Sequence, residues 1–238
     1  MGSKKYDVVY ILKHNCRPDE LRYSIRSVCE NFDFNRIVFV GGKPYGLTPD
    51  LYINFSQGNG TKWDKTFRTI HYICYNTEIT ENFWLFNDDF FIMKPNPVLP
   101  ITNGTLLTYA ESIEQGHGGI SRYSAQLRQT AGMLLYKGYD IRNFDTHTPI
   151  LINKKKGYEI VRRFPNYHAT FRSVYGNVNN IKATEQPDVK IAARTPKEAT
   201  GEESMLSTTE YSFNNRAVGE YIRSVFLNPS KYEVELEI

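Results

Sequence analysis

Apolar positions along the first hundred residues follow two alternating rhythms. Asp7 to Leu12 (DVVYIL) is a nearly unbroken apolar run, the pattern of a strand buried on both faces. Pro18 sits near a helix start, and Leu21, Ile25, Val28 and Phe32 then recur at i, i+4, i+7 and i+11, which is one helical stripe. Arg36 to Val40 (RIVFV) predicts a second strand ending at Gly41-Gly42, and Leu51 to Phe55 (LYINF) a shorter third. Gln57-Gly58-Asn59-Gly60 breaks the chain, Thr61 is placed to cap a second helix, and Trp63, Phe67, Ile70 and Cys74 repeat the helical spacing. Phe83 to Phe86 (FWLF) predicts a further buried strand. It runs into Asn87-Asp88-Asp89 before the chain turns apolar again through Phe90-Phe91-Ile92-Met93. This β-α-β-α-β order predicts an α/β fold with a mostly parallel sheet flanked by helices.

The second half is less regular and reads as an irregular C-terminal elaboration. Thr105 to Ala110 (TLLTYA) predicts a strand, and Leu127, Ala131 and Leu134 a helix. Residues 140–153 form a mixed polar segment around His147, and 154–164 a short basic helix. Val189 to Ala192 predicts a short strand, and the Thr-, Glu- and Lys-rich stretch 194–210 a surface loop. Asn214 is placed to cap a last helix with Val218, Ile222 and Val225 on one face, closed by Asn228-Pro229. No stretch has the composition of a linker, so one domain over 1–238 is expected.

Composition narrows the classes. With 40% hydrophobic and 23% charged residues the chain is an ordinary globular one, which argues against disorder. No apolar run reaches 18 residues, so no membrane-spanning helix is expected. Met1-Gly2-Ser3-Lys4-Lys5 lacks the apolar core of a secretory signal. Cys16, Cys29 and Cys74 have no metal-type spacing and fit free thiols in a reducing cytoplasm. A net charge of +3 is too near balance for a dedicated nucleic-acid binder. The 14% aromatic content, with 17 Tyr, fits a core, and such a surplus also suits stacking on bases or sugars.

The candidate chemistry centres on Phe86-Asn87-Asp88-Asp89-Phe90-Phe91. Two adjacent carboxylates stand where an apolar strand ends, and charges are rarely buried without a partner. In open α/β sheets ligands bind beyond the carboxyl ends of strands. A hard cation such as Mg²⁺ takes one or two carboxylates together with substrate phosphates, so a metal-bound diphosphate is the natural ligand of Asp88 and Asp89. The bland alternative is a solvated Asn-Asp turn. No Walker or dinucleotide glycine motif occurs. Gly58 and Gly60 read as turn residues, whereas Gly41-Gly42 ends a strand on the ligand side, where it lets a nucleobase or ribose approach. Lys154-Lys155-Lys156 and Arg162-Arg163 read as a solvated face, or as phosphate contacts if the acceptor were DNA.

Tyr6–Tyr10 (YDVVY), Glu20–Val28 (ELRYSIRSV) and Phe86–Phe91 (FNDDFF) resemble conserved regions of the Stealth proteins, sugar-phosphate transferases with a GT-A-like nucleotide-sugar fold. The likeness covers residues 6–93. It continues weakly through Thr146-His147-Thr148-Pro149 with Lys154, and through Phe171-Arg172-Ser173. The whole chain is also similar to small glycosyltransferase-like proteins of bacteriophages, in which Tyr175-Gly176-Asn177 and Asp188-Val189-Lys190 occur in this order. The resemblance implies a nucleotide-sugar-binding half over 6–110 and an acceptor-side half over 111–238. For a phage protein it also implies the host cytoplasm.

Two departures shape the expected reaction. The acidic motif that follows the first Stealth strand is replaced by Ile11-Leu12-Lys13-His14-Asn15, and the Phe-Asn-Ser segment by Thr61-Lys62-Trp63-Asp64. The catalytic acid is thus missing while the diphosphate grip survives, which favours transfer of the sugar itself over sugar-1-phosphate transfer. A non-catalytic sugar- or virion-binding module is the other alternative. On this reading Mg²⁺ or Mn²⁺ sits on Asp88 and Asp89 with His147 as a third ligand or as the base. Asn87 orients the pair or touches the ribose, Arg172 and Lys62 neutralise the departing diphosphate, and Glu111 and Asp145 are alternative bases. His14, Asn15, Arg22, Gly41 and Gly42 are expected to line the nucleotide-sugar pocket. His71, His117 and His168 are left as structural. The expected acceptor is a protein or glycan, with modified DNA ranked lower on charge.

Overall fold

The computed structural model describes residues 5–164, 169–192 and 198–234. His168, the first four residues and positions 194–197 of the expected surface loop lie outside that description, as does the side chain of His117. In chain order the first elements are β1 (Asp7–Leu12), α1 (Pro18–Asn31), β2 (Ile37–Gly41), β3 (Leu51–Ile53), α2 (Lys62–Tyr75), β4 (Asn82–Phe86), β5 (Phe90–Ile92) and β6 (Ile101–Thr102). They are followed by α3 (Leu106–His117), α4 (Arg122–Tyr136), β7 (Ile150–Asn153), α5 (Lys154–Arg163), α6 (Phe171–Val178), β8 (Thr184–Glu185), β9 (Lys190–Ile191), β10 (Met205–Thr208), α7 (Glu210–Asn215) and α8 (Ala217–Val225).

The central sheet has the order β3-β2-β1-β4-β7. The first four strands are mutually parallel and β7 runs antiparallel beside β4. Strand alternation divides the core between its faces. Val9, Val38, Val40, Phe83 and Leu85 pack with Phe67 and Ile70 of α2, while Val8, Tyr10, Ile37, Phe39 and Phe86 pack with Leu21, Ile25 and Val28 of α1. The order reverses around β1: the chain moves outward to β2 and β3 on one side and returns to β4 on the other. A crevice forms at such a switch point, beyond the carboxyl ends of the strands, and here it lies after Leu12 and Phe86.

Local chemistry fixes the helix ends at that crevice. Thr61 caps α2 by accepting from the Asp64 N–H, and the Asp64 carboxylate accepts from the Thr61 N–H in return. In α1, Ser24 donates to the Phe90 carbonyl, Ser27 accepts from the Ile92 N–H, and Asn31 donates to the Ile92 carbonyl. These contacts dock β5, the strand that leaves the acidic turn. β5 then joins β10 and β9 in a second sheet of order β5-β10-β9, and β6 pairs with β8.

Four expectations are corrected. Thr105–Ala110 is no strand: Thr105 and Thr108 make a capping box, and Leu106 and Ala110 are buried along α3. The polar stretch 140–153 ends in β7. The expected loop 194–210 contains β10, all four residues of which are buried as the middle strand of the second sheet. Asn214 lies inside α7, and α8 starts after Arg216 with Val218, Ile222 and Phe226 inward and Val225 exposed. Among the described residues no helix is long and apolar enough to cross a membrane.

Candidate active site

Two cavities of about 540 and 520 Å³ open at the switch point and share a wall made of Lys13, Asp88, Asp89, Lys190 and Thr209. The first is also lined by Lys62, Trp63, Tyr123, Asp145, His147 and Arg172. The second is lined by Asn15, Cys16, Arg17, Glu20, Thr208 and Glu210.

The acidic turn carries less counter-charge than acid. Burial pushes the Asp88 carboxyl up to about 6, and the neighbouring Asp89 charge adds to it. Burial likewise pushes Glu20 up to about 7, against its hydrogen bond from the Thr208 hydroxyl, with Asp89 and Asp88 adding repulsion. Asp89 Oδ2 accepts from Lys190 Nζ, which also donates to the Thr208 carbonyl and to Ser207 Oγ at 3.3 Å. Asp89 Oδ1 is buried without a hydrogen-bond partner.

Arg172 is 8% exposed. Its guanidinium donates to the Thr148 carbonyl at 2.5 Å, the Leu85 carbonyl at 3.3 Å and Asn87 Oδ1 at 3.1 Å, and it lies over the Phe90 ring. The expected open clamp for a diphosphate is therefore a brace that holds Asn87 and the end of β4. Its pKa falls to about 10 because burial disfavours the cation, and neighbouring Asp145 opposes that.

His147 sits at φ +52°, a left-handed conformation uncommon outside glycine. Its Nδ1 lies 2.8 and 3.1 Å from the two Asp188 oxygens. The Asp188 carboxylate only accepts, so Nδ1 carries the proton and Nε2 is the ring nitrogen left for the cavity. Asp188 also accepts from the Tyr109 hydroxyl at 2.5 Å and from the Lys190 N–H at 3.2 Å. Asp145 lines the same cavity and accepts from Ser173 Oγ at 2.6 Å. Lys62 Nζ stands 4.9 Å from the ring centres of both Trp63 and Tyr123, and burial lowers its pKa.

Several expected site residues stand elsewhere. Glu111 is on the exposed face of α3, outside both cavities. Arg22 pairs with Glu233 at 3.2 Å. His14 is exposed in the turn after β1 and lines neither cavity. Gly41 and Gly42 answer to packing. A Cβ on Gly41 would meet the Leu12 carbonyl oxygen at 2.2 Å, and one on Gly42 the Lys13 carbonyl oxygen at 2.0 Å, so their close approach is to β1 itself. Lys154 donates to the Asn76 and Ile79 carbonyls and is no part of a solvated face. Glu20, Lys13, Tyr123, Asp188 and Lys190 join the site although the sequence pattern gives none of them a role. Only the order Asp188-Val189-Lys190 signals the last pair.

A divalent metal on Asp88, Asp89 and His147 does not fit this donor set. Among the described residues no three His, Cys, Asp or Glu side chains converge in a manner able to hold an ion. One Asp89 oxygen is held by an ammonium. A dication on the other Asp89 oxygen, roughly 5 Å from that ammonium, would meet repulsion of about 7 kcal/mol at an effective dielectric of 20. Asp89 is thus paired with Lys190, and His147 with Asp188.

No protein-family model and no curated protein matches the sequence. Among solved structures the chain is similar to galactosyltransferase LgtC, crystallised with donor and acceptor sugar analogues. The TM-score is 0.50 at 11% identity, over 97% of this chain and 98% of that one. Glycosyltransferase GlyE of Streptococcus pneumoniae is similar in its apo form, with TM-score 0.46 and 10% identity over 94% of this chain and 61% of that one. A second GlyE structure has TM-score 0.37 and 11% identity over 94% and 50%. The LgtC likeness fixes the fold as GT-A-like, a mixed α/β fold with a mostly parallel central sheet flanked by helices.

Proposed function

We propose that the chain transfers a sugar from a nucleotide-diphosphate sugar to an acceptor hydroxyl. One observation carries this reading: Lys13, Lys62 and the positive end of α2 converge on the switch-point cleft of a fold shared with a galactosyltransferase. Transfer passes through an oxocarbenium-like state while the bond from the sugar to the diphosphate breaks. The departing diphosphate gains negative charge, and fixed cations at the cleft lower the barrier by meeting that charge where it develops. His147 Nε2 takes the proton of the acceptor hydroxyl as its oxygen bonds to the sugar carbon, and Asp188 stabilises the imidazolium. Because His147 lines the same cavity as Trp63 and Tyr123, the acceptor enters there. The nucleoside takes the second cavity, beside Asn15. A protein or glycan acceptor fits the near-balanced charge.

The test is product analysis. The full chain is incubated with uridine, guanosine, adenosine and cytidine diphosphate sugars, and released nucleotides are separated. Release of a nucleoside diphosphate, abolished in His147→Ala, is the expected result. Release of a nucleoside monophosphate would instead assign sugar-1-phosphate transfer. No release from any donor, and no binding of any, would leave a non-catalytic module.

A further inference from the structure

We propose that the Lys190 ammonium stands in for a divalent cation at the acidic turn, neutralising Asp89 at rest and the diphosphate during transfer. The second half of that statement rests on the sugar-transfer reading, whereas the first rests on geometry alone. Strand pairing delivers the lysine: Lys190 of β9 is in parallel register with Ser207 of β10, and Ser207 is in antiparallel register with Phe90 of β5. Asp89 immediately precedes Phe90, so the Lys190 side chain reaches across the middle strand to the acidic turn. Its three donor positions are matched by three acceptors, Asp89 Oδ2, the Thr208 carbonyl and Ser207 Oγ.

The backbone beneath is fixed as well. The Lys190 N–H is held by Asp188, which is itself held by His147 and Tyr109. An ammonium caged in this way is a compact point charge, the form in which lysine neutralises phosphate. It is placed on the wall common to both cavities, where a diphosphate bridging them must lie. Glu20, Asp88 and Asp89 crowd this wall, and Lys190 is the cation that hydrogen-bonds one of them. Without it Asp88 and Asp89 would offer two carboxylates, and Mg²⁺ accepts one or two carboxylates plus phosphates. Lysine and metal are therefore alternatives for Asp89.

Two measurements test this. The first uses Mn²⁺ alone, with free Mn²⁺ read by its electron paramagnetic resonance signal. The wild-type chain is expected to sequester none. Lys190→Met, which keeps the length of the side chain and removes its charge, is expected to bind Mn²⁺ in a manner lost in Lys190→Met/Asp89→Asn. Stoichiometric Mn²⁺ binding by the wild type that is lost in Asp89→Asn overturns the proposal, and this result needs no variant at Lys190 to fold.

The second is calorimetry with uridine, guanosine, adenosine and cytidine diphosphates in excess EDTA. At least one is expected to bind. Its affinity should fall about tenfold or more in Lys190→Met, the loss of one positive charge beside the diphosphate, and hold to within about threefold in Lys190→Arg. Binding that requires Mn²⁺, or that is unchanged in Lys190→Met, refutes the role at the diphosphate. If none of the four binds with or without Mn²⁺, the sugar-transfer reading fails, and the Mn²⁺ titration still decides what neutralises Asp89.

Discussion

Asp188→Asn is the sharpest probe of how the site is held together. The wild-type carboxylate takes the Tyr109 hydroxyl at 2.5 Å, His147 Nδ1 at 2.8 Å and the Lys190 N–H at 3.2 Å. Its side chain is 12% exposed. Asparagine fills the same space but offers one acceptor oxygen and two N–H groups. At least one of the three donors then faces another donor. Losing one charge-assisted hydrogen bond costs about 1.5–3 kcal/mol, and leaving one buried donor unpaired costs about 1–3 kcal/mol more. The expected loss at pH 7 is about 3 kcal/mol, which moves the urea midpoint down by roughly 1 M. The direction of the pH dependence comes from the carboxyl itself. Burial alone would raise it, but the His147 pairing and the bonds from Tyr109 and Lys190 outweigh burial and hold it below its ordinary value. A depressed carboxyl contributes stability that is whole above its unfolded value, near pH 3.9, and is lost as pH falls through the folded value. Urea titrations of wild type and variant should therefore differ at pH 7 and converge as pH falls below about 4. Equal midpoints at pH 7, or a gap undiminished well below about pH 4, would refute the reasoning.

Three further substitutions probe the frame. A Cβ on Gly219 would lie 1.7 Å from the Phe213 carbonyl oxygen, a backbone atom that cannot turn aside. Gly219→Ala should therefore destabilise the α7–α8 corner by about 3 kcal/mol, visible as a lower thermal midpoint. Asp7 is fully buried and accepts from Arg36, Asn35 and the Thr80 N–H, which hold its carboxyl below the ordinary value against burial. Asp7→Asn should lose about 2 kcal/mol at pH 7, discounted for the partial exposure of Arg36, with the wild-type advantage fading below about pH 4 in denaturant titrations. Arg172→Lys keeps the charge but not the fork that serves three acceptors. A loss of about 2 kcal/mol in chemical denaturation is expected, and full stability would show that the brace on Asn87 is not needed.

The legible part of the fold is the part whose burial is two-sided. β1, β2 and β4 stand out as continuous apolar runs because parallel strands are covered on both faces. α1 and α2 are readable from their stripes, and Thr61 from its place before Trp63. α3 is disguised because Thr105 and Thr108 count as strand formers in a window yet act here as a cap. β10 is hidden because four residues are too few for a period, and because Ser207 and Thr208 are buried by the partners they meet, Lys190 and Glu20. The acidic turn is visible as a pair of carboxylates after a strand. Its counter-ion, 101 residues further on, is not, since only strand pairing brings Lys190 to Asp89.

That distance in sequence explains why the pattern of residues points to a metal. Adjacent acids at a strand end demand positive charge, and sequence supplies no way to see one arriving from another sheet. The chain meets the demand with one short segment. Asp188 fixes His147 through its side chain and Lys190 through its backbone, while Lys190 fixes Asp89. His147, the Lys190 ammonium and the acidic turn are thereby linked through a single tripeptide at the entry to β9. A displacement of that strand would shift all three together. The second sheet thus does more than cover the first. It carries the Lys190 ammonium to the acidic turn, the charge on which the proposed diphosphate site depends.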